Sequence, residues 1–203
     1  MICESRIRVV EEVNAAYHSA HRNFKDYADA FYLAPEQMRG KKFLDVGAGD
    51  SSFARQAQDY GATVVRLDGR YSDTTKIQLN SSLPEESHLA VTAFAQELPF
   101  KEDSFDEALA LASFNWMKTK VEDVLFEMIR VVKVGGYIKI APAYHQGRSF
   151  SVELPLNASI VENLNPQYAY NNTLVIKKTP LSEDILHKEI EELIQNRVCF
   201  DIL

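Results

Sequence analysis

The sequence has little cysteine and no long apolar run. Its two cysteines, Cys3 and Cys199, stand near opposite ends in no metal-binding or redox spacing, so no disulfide framework is implied. No apolar run approaches the roughly 20 residues that a membrane-spanning helix needs. The first ten residues include Glu4, Arg6 and Arg8, which argues against the apolar region of a signal peptide. We therefore expect a cytoplasmic protein with no membrane partner.

Positive charge is also scarce. Lys and Arg number 22 against 29 Asp and Glu, which gives a net charge of -7. This balance argues against a protein built mainly to grip a nucleic acid backbone, so we expect no nucleic-acid partner. A chain of 203 residues with 46% hydrophobic and 25% charged residues is typical of a single globular domain. His18 and His21 have helical spacing, but no further ligand cluster lies nearby, and we predict no metal site.

Apolar runs and amphipathic segments alternate along most of the chain. The predicted strands are 42–46, 62–67, 88–93, 105–111, 137–141 and 173–178, and the predicted helices are 4–33, 51–60, 72–79, 120–132 and 182–195. Gly135-Gly136 is predicted to end the unit of the fourth helix. Strands separated by helices predict a doubly wound α/β fold with parallel pairing and helices on both faces of the sheet.

The segment Phe43 to Phe53 carries the most specific motif. An apolar run ends at Val46 and is followed by Gly47-Ala48-Gly49 and small polar residues, which predicts a buried strand, a tight turn and the start of a helix. Glycine permits positive φ and lets a ligand lie against bare backbone, and a helix N-terminus favours anions. The turn is therefore a candidate nucleotide cradle.

Asp68-Gly69 follows the second predicted strand. A carboxylate at the end of that strand can accept hydrogen bonds from a ribose diol. Asp-Gly is also a strong turn dipeptide, so a plain turn is the alternative. With the glycine turn in place, we favour the ribose interpretation.

These motifs, in this order, resemble those of the class I S-adenosylmethionine-dependent methyltransferases of the small-molecule type, over about residues 41–142. Residues 44–49 resemble the first cofactor motif of the family, and residues 67–68 resemble the acidic end of its second strand. Residues 95–106 are similar to the segment that packs along adenine, and 127–136 to the helix and Gly-Gly turn before strand five.

The resemblance implies a Rossmann-like, mostly parallel seven-stranded sheet with helices on both faces. It also implies S-adenosylmethionine as cofactor, S-adenosylhomocysteine as product and a small-molecule methyl acceptor as partner. Residues 1–40 would form an N-terminal helical lid, 41–180 the cofactor-binding core, and 181–203 a C-terminal helix of the same domain. A homodimer is compatible with the sequence but is not required by it.

Site residues follow from the same resemblance. Asp45 would organise the loop and the methionine end, Asp68 would hold the ribose, and Ser113 would lie where the chain passes the sulfonium. The implied cofactor contacts are Asp45, Gly47, Ala48, Gly49, Asp68, Gly69, Ala95, Gln96 and Ser113. For Gln96 and Ser113, a packing role is an equal alternative. The substrate candidates are Tyr17, Tyr27, Asn115, His145 and Arg148, although amphipathic packing explains the tyrosines and an ordinary polar loop explains His145 and Arg148.

The chain departs from the family pattern at several positions. Phe94 stands where relatives often have an aspartate that binds the adenine amino group, and Asn115-Trp116 replaces a frequent histidine-containing pair. Ser51 replaces a third glycine, and Val134 replaces a proline. No catalytic base is identified, but methyl transfer from a sulfonium needs mainly alignment of donor and acceptor.

Two other functions stay open. Gly47-x-Gly49-x-x-Ser52 nearly fits a dinucleotide fingerprint, which would suit an NAD(P)-dependent oxidoreductase, but no Tyr-x-x-x-Lys signature accompanies it. The second is a methyltransferase fold that has lost catalysis and serves as a binding or partner protein. We expect an active methyltransferase.

Overall fold

The computed structural model describes residues 22–69, 89–114, 120–145, 155–162, 172–195 and 198–199. The strands in these residues are β1 (Lys42–Val46), β2 (Thr63–Leu67), β3 (Ala90–Val91), β4 (Phe105–Leu111), β5 (Val132–Ala141), β6 (Tyr144–His145), β7 (Ala158–Glu162), β8 (Asn172–Lys177) and β9 (Val198–Cys199). The helices are α1 (Phe24–Phe31), α2 (Phe53–Gln58), α3 (Val121–Val131) and α4 (Glu183–Gln195), with short 3-10 turns at Pro35–Gln37 and Pro155–Asn157.

Seven strands form one sheet in the order β3-β2-β1-β4-β5-β8-β7. The first five are parallel, while β8 runs antiparallel to both β5 and β7. The predicted seven-stranded, mostly parallel, Rossmann-like sheet is therefore confirmed. The strand order reverses between β1 and β4, because the chain passes from β3 at one edge across to the far side of β1.

Alternating residues of the central strands feed two hydrophobic clusters. Phe43 of β1 packs with α1 and α2, whereas Leu44 and Val46 pack in the cluster that contains residues of α3 and α4. This is the period of two expected for a strand buried on both faces. Asp45 shares the parity of Phe43, so its side chain points toward α1.

The prediction of one continuous helix over residues 4–33 is wrong. Within the described part, α1 begins only at Phe24, and Arg22 and Asn23 lie outside it. The Asn23 side chain accepts from the backbone N–H of Asp26, and the Asp26 carboxylate accepts from the backbone N–H of Asn23. This capping box satisfies N–H groups that a helix start otherwise leaves without partners, so it starts a new helix here.

The Gly135-Gly136 pair lies inside β5, so the prediction that it separates helix from strand is wrong. Strand β5 begins at Val132, directly after α3, and its pairing with β4 is irregular between Phe105 and Glu107. Gly135 has a φ of 84°. A Cβ on Gly136 would lie 2.3 Å from the Asp106 carbonyl oxygen, so only glycine fits this approach of two backbones.

The remaining boundaries agree closely or fall outside the description. Strands β1 and β4 have the predicted ends, and α3, α4 and β8 differ from prediction by about one residue. Strand β3 is shorter than the predicted 88–93, and β7 was not predicted. The predicted helix 72–79 lies outside the described residues.

The predicted lid, residues 1–40, is described from residue 22 onward. In that part Tyr27, Phe31 and Met38 are buried in one cluster with residues of the sheet and α2. The Thr173 hydroxyl of β8 also donates to the Ala30 carbonyl at 2.7 Å. No helix among the described residues has the length and apolar character needed to cross a membrane.

Candidate functional site

The glycine turn folds back onto the end of β2. Gly47 and Gly49 have φ of 71° and 55°, a region that side-chain-bearing residues rarely adopt. The N–H groups of Gly47 and Ala48 both donate to the Leu67 carbonyl, at 2.7 and 3.1 Å. The turn therefore lies at the carboxyl ends of two adjacent parallel strands, beside the reversal of strand order where ligands bind in such sheets.

Asp68 joins this turn through its side chain. Its buried carboxylate accepts a 3.0 Å hydrogen bond from the N–H of Gly49, and its own N–H donates to the Val91 carbonyl. The structure thus brings Gly49 and Asp68 together. The adjacent Gly69 is half-buried, and a Cβ there would lie 3.3 Å from the ring of Phe94.

Asp45 is fully buried directly before the turn. The Tyr27 hydroxyl donates to its carboxylate and lies 2.9 Å from both oxygens. Burial raises the pKa of Asp45 to about 6, while the positive charges of Arg22 and Arg66 and the Tyr27 hydrogen bond oppose that rise. The neighbouring Asp68 charge raises it further. Asp45 is therefore a titratable group inside the predicted site.

Tyr27, a predicted substrate contact, lies inside the protein. Its ring stacks on Phe53 with centroids 4.1 Å apart and an angle of 3° between the planes. Burial, and then the Asp45 charge, raise the pKa of the Tyr27 hydroxyl well above its usual value. In this arrangement the hydroxyl supports Asp45 and is not presented to solvent.

Arg22 is a site residue that the sequence did not reveal. Its Nη1 donates to the Leu111 carbonyl at 2.8 Å, and its Nη2 lies 3.3 and 3.4 Å from the carbonyls of Gly47 and Ala48. The side chain thus spans the two loops that flank the reversal of strand order. The capping box at Asn23 was a local signal for the start of α1, but no signal indicated the contacts of Arg22.

The end of β4 presents the third part of the site. Ala112 has a φ of 51°, an unusual conformation for alanine, and its N–H donates to the Ala141 carbonyl. The next residue, Ser113, is buried, and its hydroxyl has no hydrogen-bond partner among the described residues. A buried hydroxyl without a partner costs free energy, so this atom is suited to bind a ligand.

The segment predicted to line adenine is anchored from α3. Glu127 accepts from the N–H of Leu98 at 2.7 Å, and Arg130 donates to the carbonyls of Leu98 and Phe100. Arg130 also pairs with Glu127 at 2.6 Å. The motif at 95–106 and the motif at 127–136 are therefore joined by hydrogen bonds, which hold the loop that follows β3.

Within that loop, the predicted contacts differ in exposure. Ala95 is buried, Gln96 is exposed, and 68% of the Phe94 side-chain surface is accessible. The bare backbone of Gly69 and the Phe94 ring form an apolar surface next to Asp68. This surface contains an aromatic ring where relatives often have a carboxylate.

Three of the five predicted substrate residues lie outside the part of the chain that the structure describes. Tyr17, Asn115 and Arg148 lie outside the described residues, as do His18 and His21. The backbone of His145 pairs with Val198 in the two-stranded sheet of β6 and β9. Among the residues the structure describes, no group of three His, Cys, Asp or Glu side chains could hold a metal ion.

The donors and acceptors fit an adenosine-containing cofactor. Bare glycine backbone, the Asp68 carboxylate and the Ser113 hydroxyl, which has no partner in the described part of the chain, all lie at one sheet edge. These groups can bind a nucleoside through its hydroxyls and carry no charge that would repel a sulfonium.

Comparison with known proteins agrees with this assignment. Residues 44–140 match the family model described as a methyltransferase domain. A phosphoethanolamine N-methyltransferase from Haemonchus contortus, solved with phosphoethanolamine and S-adenosylhomocysteine, has a TM-score of 0.55 at 17% identity, over 84% of this chain and 47% of that one. A SAM-dependent methyltransferase from Thermotoga maritima gives 0.45 at 21% identity, over 70% and 61%.

The chain spans about half the length of the first such structures that it matches. No curated protein matches the sequence. The family model matches a methyltransferase domain over residues 44–140, and the fold of the chain is similar to that of the Haemonchus contortus methyltransferase.

Proposed function

We propose that this protein transfers a methyl group from S-adenosylmethionine to a small-molecule acceptor. The observation that carries the proposal is the bond between the Gly49 N–H and the Asp68 carboxylate, which joins the glycine turn to the end of β2. This bond joins bare backbone and a carboxylate that can accept hydrogen bonds from a ribose, next to the reversal of strand order. The match of 44–140 to a methyltransferase domain supports the same activity.

Different residues of the described site would contact different parts of the cofactor. The backbone of Gly47, Ala48 and Gly49 would contact the methionine end, and Asp68 would accept from the ribose hydroxyls. The segment at Ala95 and Gln96 would lie along the base. When bound, S-adenosylmethionine supplies a methyl group already activated by its sulfonium.

The chain itself would supply alignment and exclusion of water. Asp45 and Asp68 are both buried and hydrogen-bonded, so neither is presented as a general base toward an acceptor. The Ser113 hydroxyl is the polar group best placed to orient a reactant, because it is buried and unsatisfied within the described residues. Positioning of this kind can supply much of the rate enhancement of a bimolecular transfer.

Titration calorimetry with S-adenosylhomocysteine, S-adenosylmethionine and NAD tests the cofactor. We expect both sulfur nucleosides to bind and NAD to bind much more weakly or not at all. Asp68→Ala should weaken S-adenosylhomocysteine by about 1–3 kcal/mol, since ribose hydroxyls would lose their acceptor. The exposed Asp184→Ala on α4 is a matched control that should bind like the wild type.

The outcomes separate the alternative functions. Tighter binding of NAD would favour the oxidoreductase, and unchanged affinity in Asp68→Ala would remove that residue from the site. The acceptor would be sought by incubating cell extract with methyl-labelled S-adenosylmethionine and detecting labelled products by mass spectrometry. Binding without labelled product from any extract would favour a partner protein without catalysis.

A further inference from the structure

Arg22 connects the two loops that flank the proposed cofactor site. Its guanidinium donates to the Leu111 carbonyl at the end of β4 and to the Gly47 and Ala48 carbonyls of the glycine turn. The acceptors lie at or just after the ends of β1 and β4, two paired strands that are far apart in the sequence. One side chain therefore bridges the two loops that follow these strands.

The backbone of Arg22 is also hydrogen-bonded, like its side chain. Its carbonyl accepts from the N–H of Ser52 at 2.8 Å and lies 3.4 Å from the Ser52 hydroxyl. Asn23, the next residue, caps α1. Arg22 is thus anchored between the starts of α1 and α2, and its side chain extends from this anchor to the turn.

A guanidinium suits this position better than an ammonium. Arginine carries five N–H donors in a planar fork, so it can bind several carbonyls at once, whereas lysine is a compact point charge. Its charge is also favourable here because Asp45 is buried next to the turn. Geometry and charge thus give Arg22 two separable roles.

We propose that Arg22 is a positioning residue of the cofactor site, which holds the glycine turn against the end of β4 and supplies positive charge beside the buried Asp45 carboxylate. The inference rests on the proposed function, since it assigns Arg22 to the same site. Arg22 acts here through the turn and through Asp45.

The charge environment of Asp45 makes the second role measurable. Arg22, the Tyr27 hydroxyl and Arg66 lower the pKa of Asp45, while burial and the Asp68 charge raise it. Removal of Arg22 takes away the largest of the lowering influences, so the pKa of Asp45 should move above about 6. A residue that merely fills space would not shift this titration.

Two variants separate charge from geometry. Arg22→Gln removes the charge, and Arg22→Lys keeps the charge but loses the fork. Arg55→Gln, on an exposed position of α2, is the matched control. Each protein is titrated without ligand by carbon NMR of the Asp45 carboxyl, and its affinity for S-adenosylhomocysteine is measured by calorimetry from pH 5 to pH 8.

We expect Arg22→Gln to raise the Asp45 midpoint and to weaken S-adenosylhomocysteine roughly tenfold or more at pH 7. Arg22→Lys should keep the Asp45 midpoint near that of the wild type but still bind the ligand several-fold more weakly. If Arg22→Gln does not fold, Arg22→Lys still tests the fork, because it keeps the charge.

Unchanged affinity and an unchanged Asp45 midpoint in both variants would overturn the proposal. Failure of the wild type to bind S-adenosylhomocysteine would instead overturn the proposed function. In that case the ligand-free titration would still test the charge role of Arg22. A shifted Asp45 midpoint in Arg22→Gln supports that role, and an unshifted midpoint contradicts it.

Discussion

Replacement of Asp45 by asparagine should make the protein more stable at neutral pH. The carboxyl is fully buried, and burial raises its pKa from 3.8 to about 6 despite the opposing charges of Arg22 and Arg66. At pH 7 the native state therefore contains a buried carboxylate that would be more stable as the neutral acid. Asparagine has nearly the same shape, stays neutral and keeps an oxygen to accept from Tyr27.

The size and sign of the effect follow from the two pKa values. Asp45 binds its proton more tightly in the native state than in the unfolded chain, so stability contributed by the protonated group is complete below about pH 4 and is lost as pH rises through about 6. A difference of about two pKa units corresponds to roughly 3 kcal/mol. Asp45→Asn should remove that dependence.

Urea unfolding at intervals from pH 4 to pH 8 measures how the free energy of unfolding of each protein depends on pH. The difference in unfolding free energy between Asp45→Asn and the wild type should grow by about 2 kcal/mol between pH 4 and pH 7, in favour of the variant. Use of the difference cancels groups that titrate equally in both proteins. Asp59→Asn, at the exposed end of α2, should show no such change.

A constant difference across the pH range would refute the reasoning, because it would mean that Asp45 does not titrate in this window. A wild type that is more stable than the variant at pH 7 would show that Arg22 and Tyr27 outweigh burial. The variant should also bind S-adenosylhomocysteine more weakly, since stability gained at a functional site commonly lowers function.

Three further substitutions test other parts of the structure. Ser113→Ala should leave stability unchanged or raise it by up to about 1 kcal/mol, since it removes an unsatisfied buried hydroxyl, and it should weaken binding of reactants; thermal unfolding and calorimetry measure both. Glu127→Gln should destabilise the protein more at pH 7 than in acid, because the hydrogen bonds from Arg130 and Leu98 outweigh burial and lower the pKa of Glu127. Urea unfolding at a series of pH values below 7 checks this. Gly136→Ala should cost about 3 kcal/mol or prevent folding, as its Cβ would overlap the Asp106 carbonyl, whereas Gly40→Ala has open space and strains only φ; circular dichroism melts compare them.

The central strands were predictable because their sequences leave one interpretation. Lys42–Val46 and Phe105–Leu111 are short, mostly apolar segments, each preceded by a polar residue, and buried parallel strands require such segments. Helix α3 was predictable because its apolar residues repeat with helical spacing and occupy the buried face. In these elements local pattern and burial agree, so the sequence suffices.

Other elements depend on contacts that the local sequence does not encode. The edge strand Ala158–Glu162 is only five residues long and is defined by its pairing with β8. The Gly135-Gly136 pair suggested a turn, but the backbone of Asp106 packs against it inside a sheet. At Asn23 the apolar spacing predicted an uninterrupted helix, although the capping box was present in the sequence.

In the candidate cofactor site, too, some residues were predictable from local motifs and others were not. The glycine turn and Asp68 are local motifs, and the structure places them within hydrogen-bond distance of each other. The role of Tyr27 was open between acceptor and packing, and its bond to Asp45 depends on how α1 lies over the sheet. Arg22 reaches a carbonyl 89 residues away, which no periodicity or motif could indicate.

The polar groups at this edge are costly for folding alone. A buried carboxylate, a partly buried guanidinium and an unsatisfied hydroxyl are each less favourable than well-packed apolar side chains of similar size. Yet Asp45, Arg22 and Ser113 occur together where the strand order reverses, while the remainder of the described core is largely apolar. A ligand that binds there would pair with the hydroxyl and interact with the charges, and folding would then be strengthened by the ligand's binding free energy. S-adenosylhomocysteine should accordingly raise the unfolding temperature of the wild type by more than that of Asp45→Asn. Equal shifts in both proteins would mean that the buried carboxylate contributes nothing to the site.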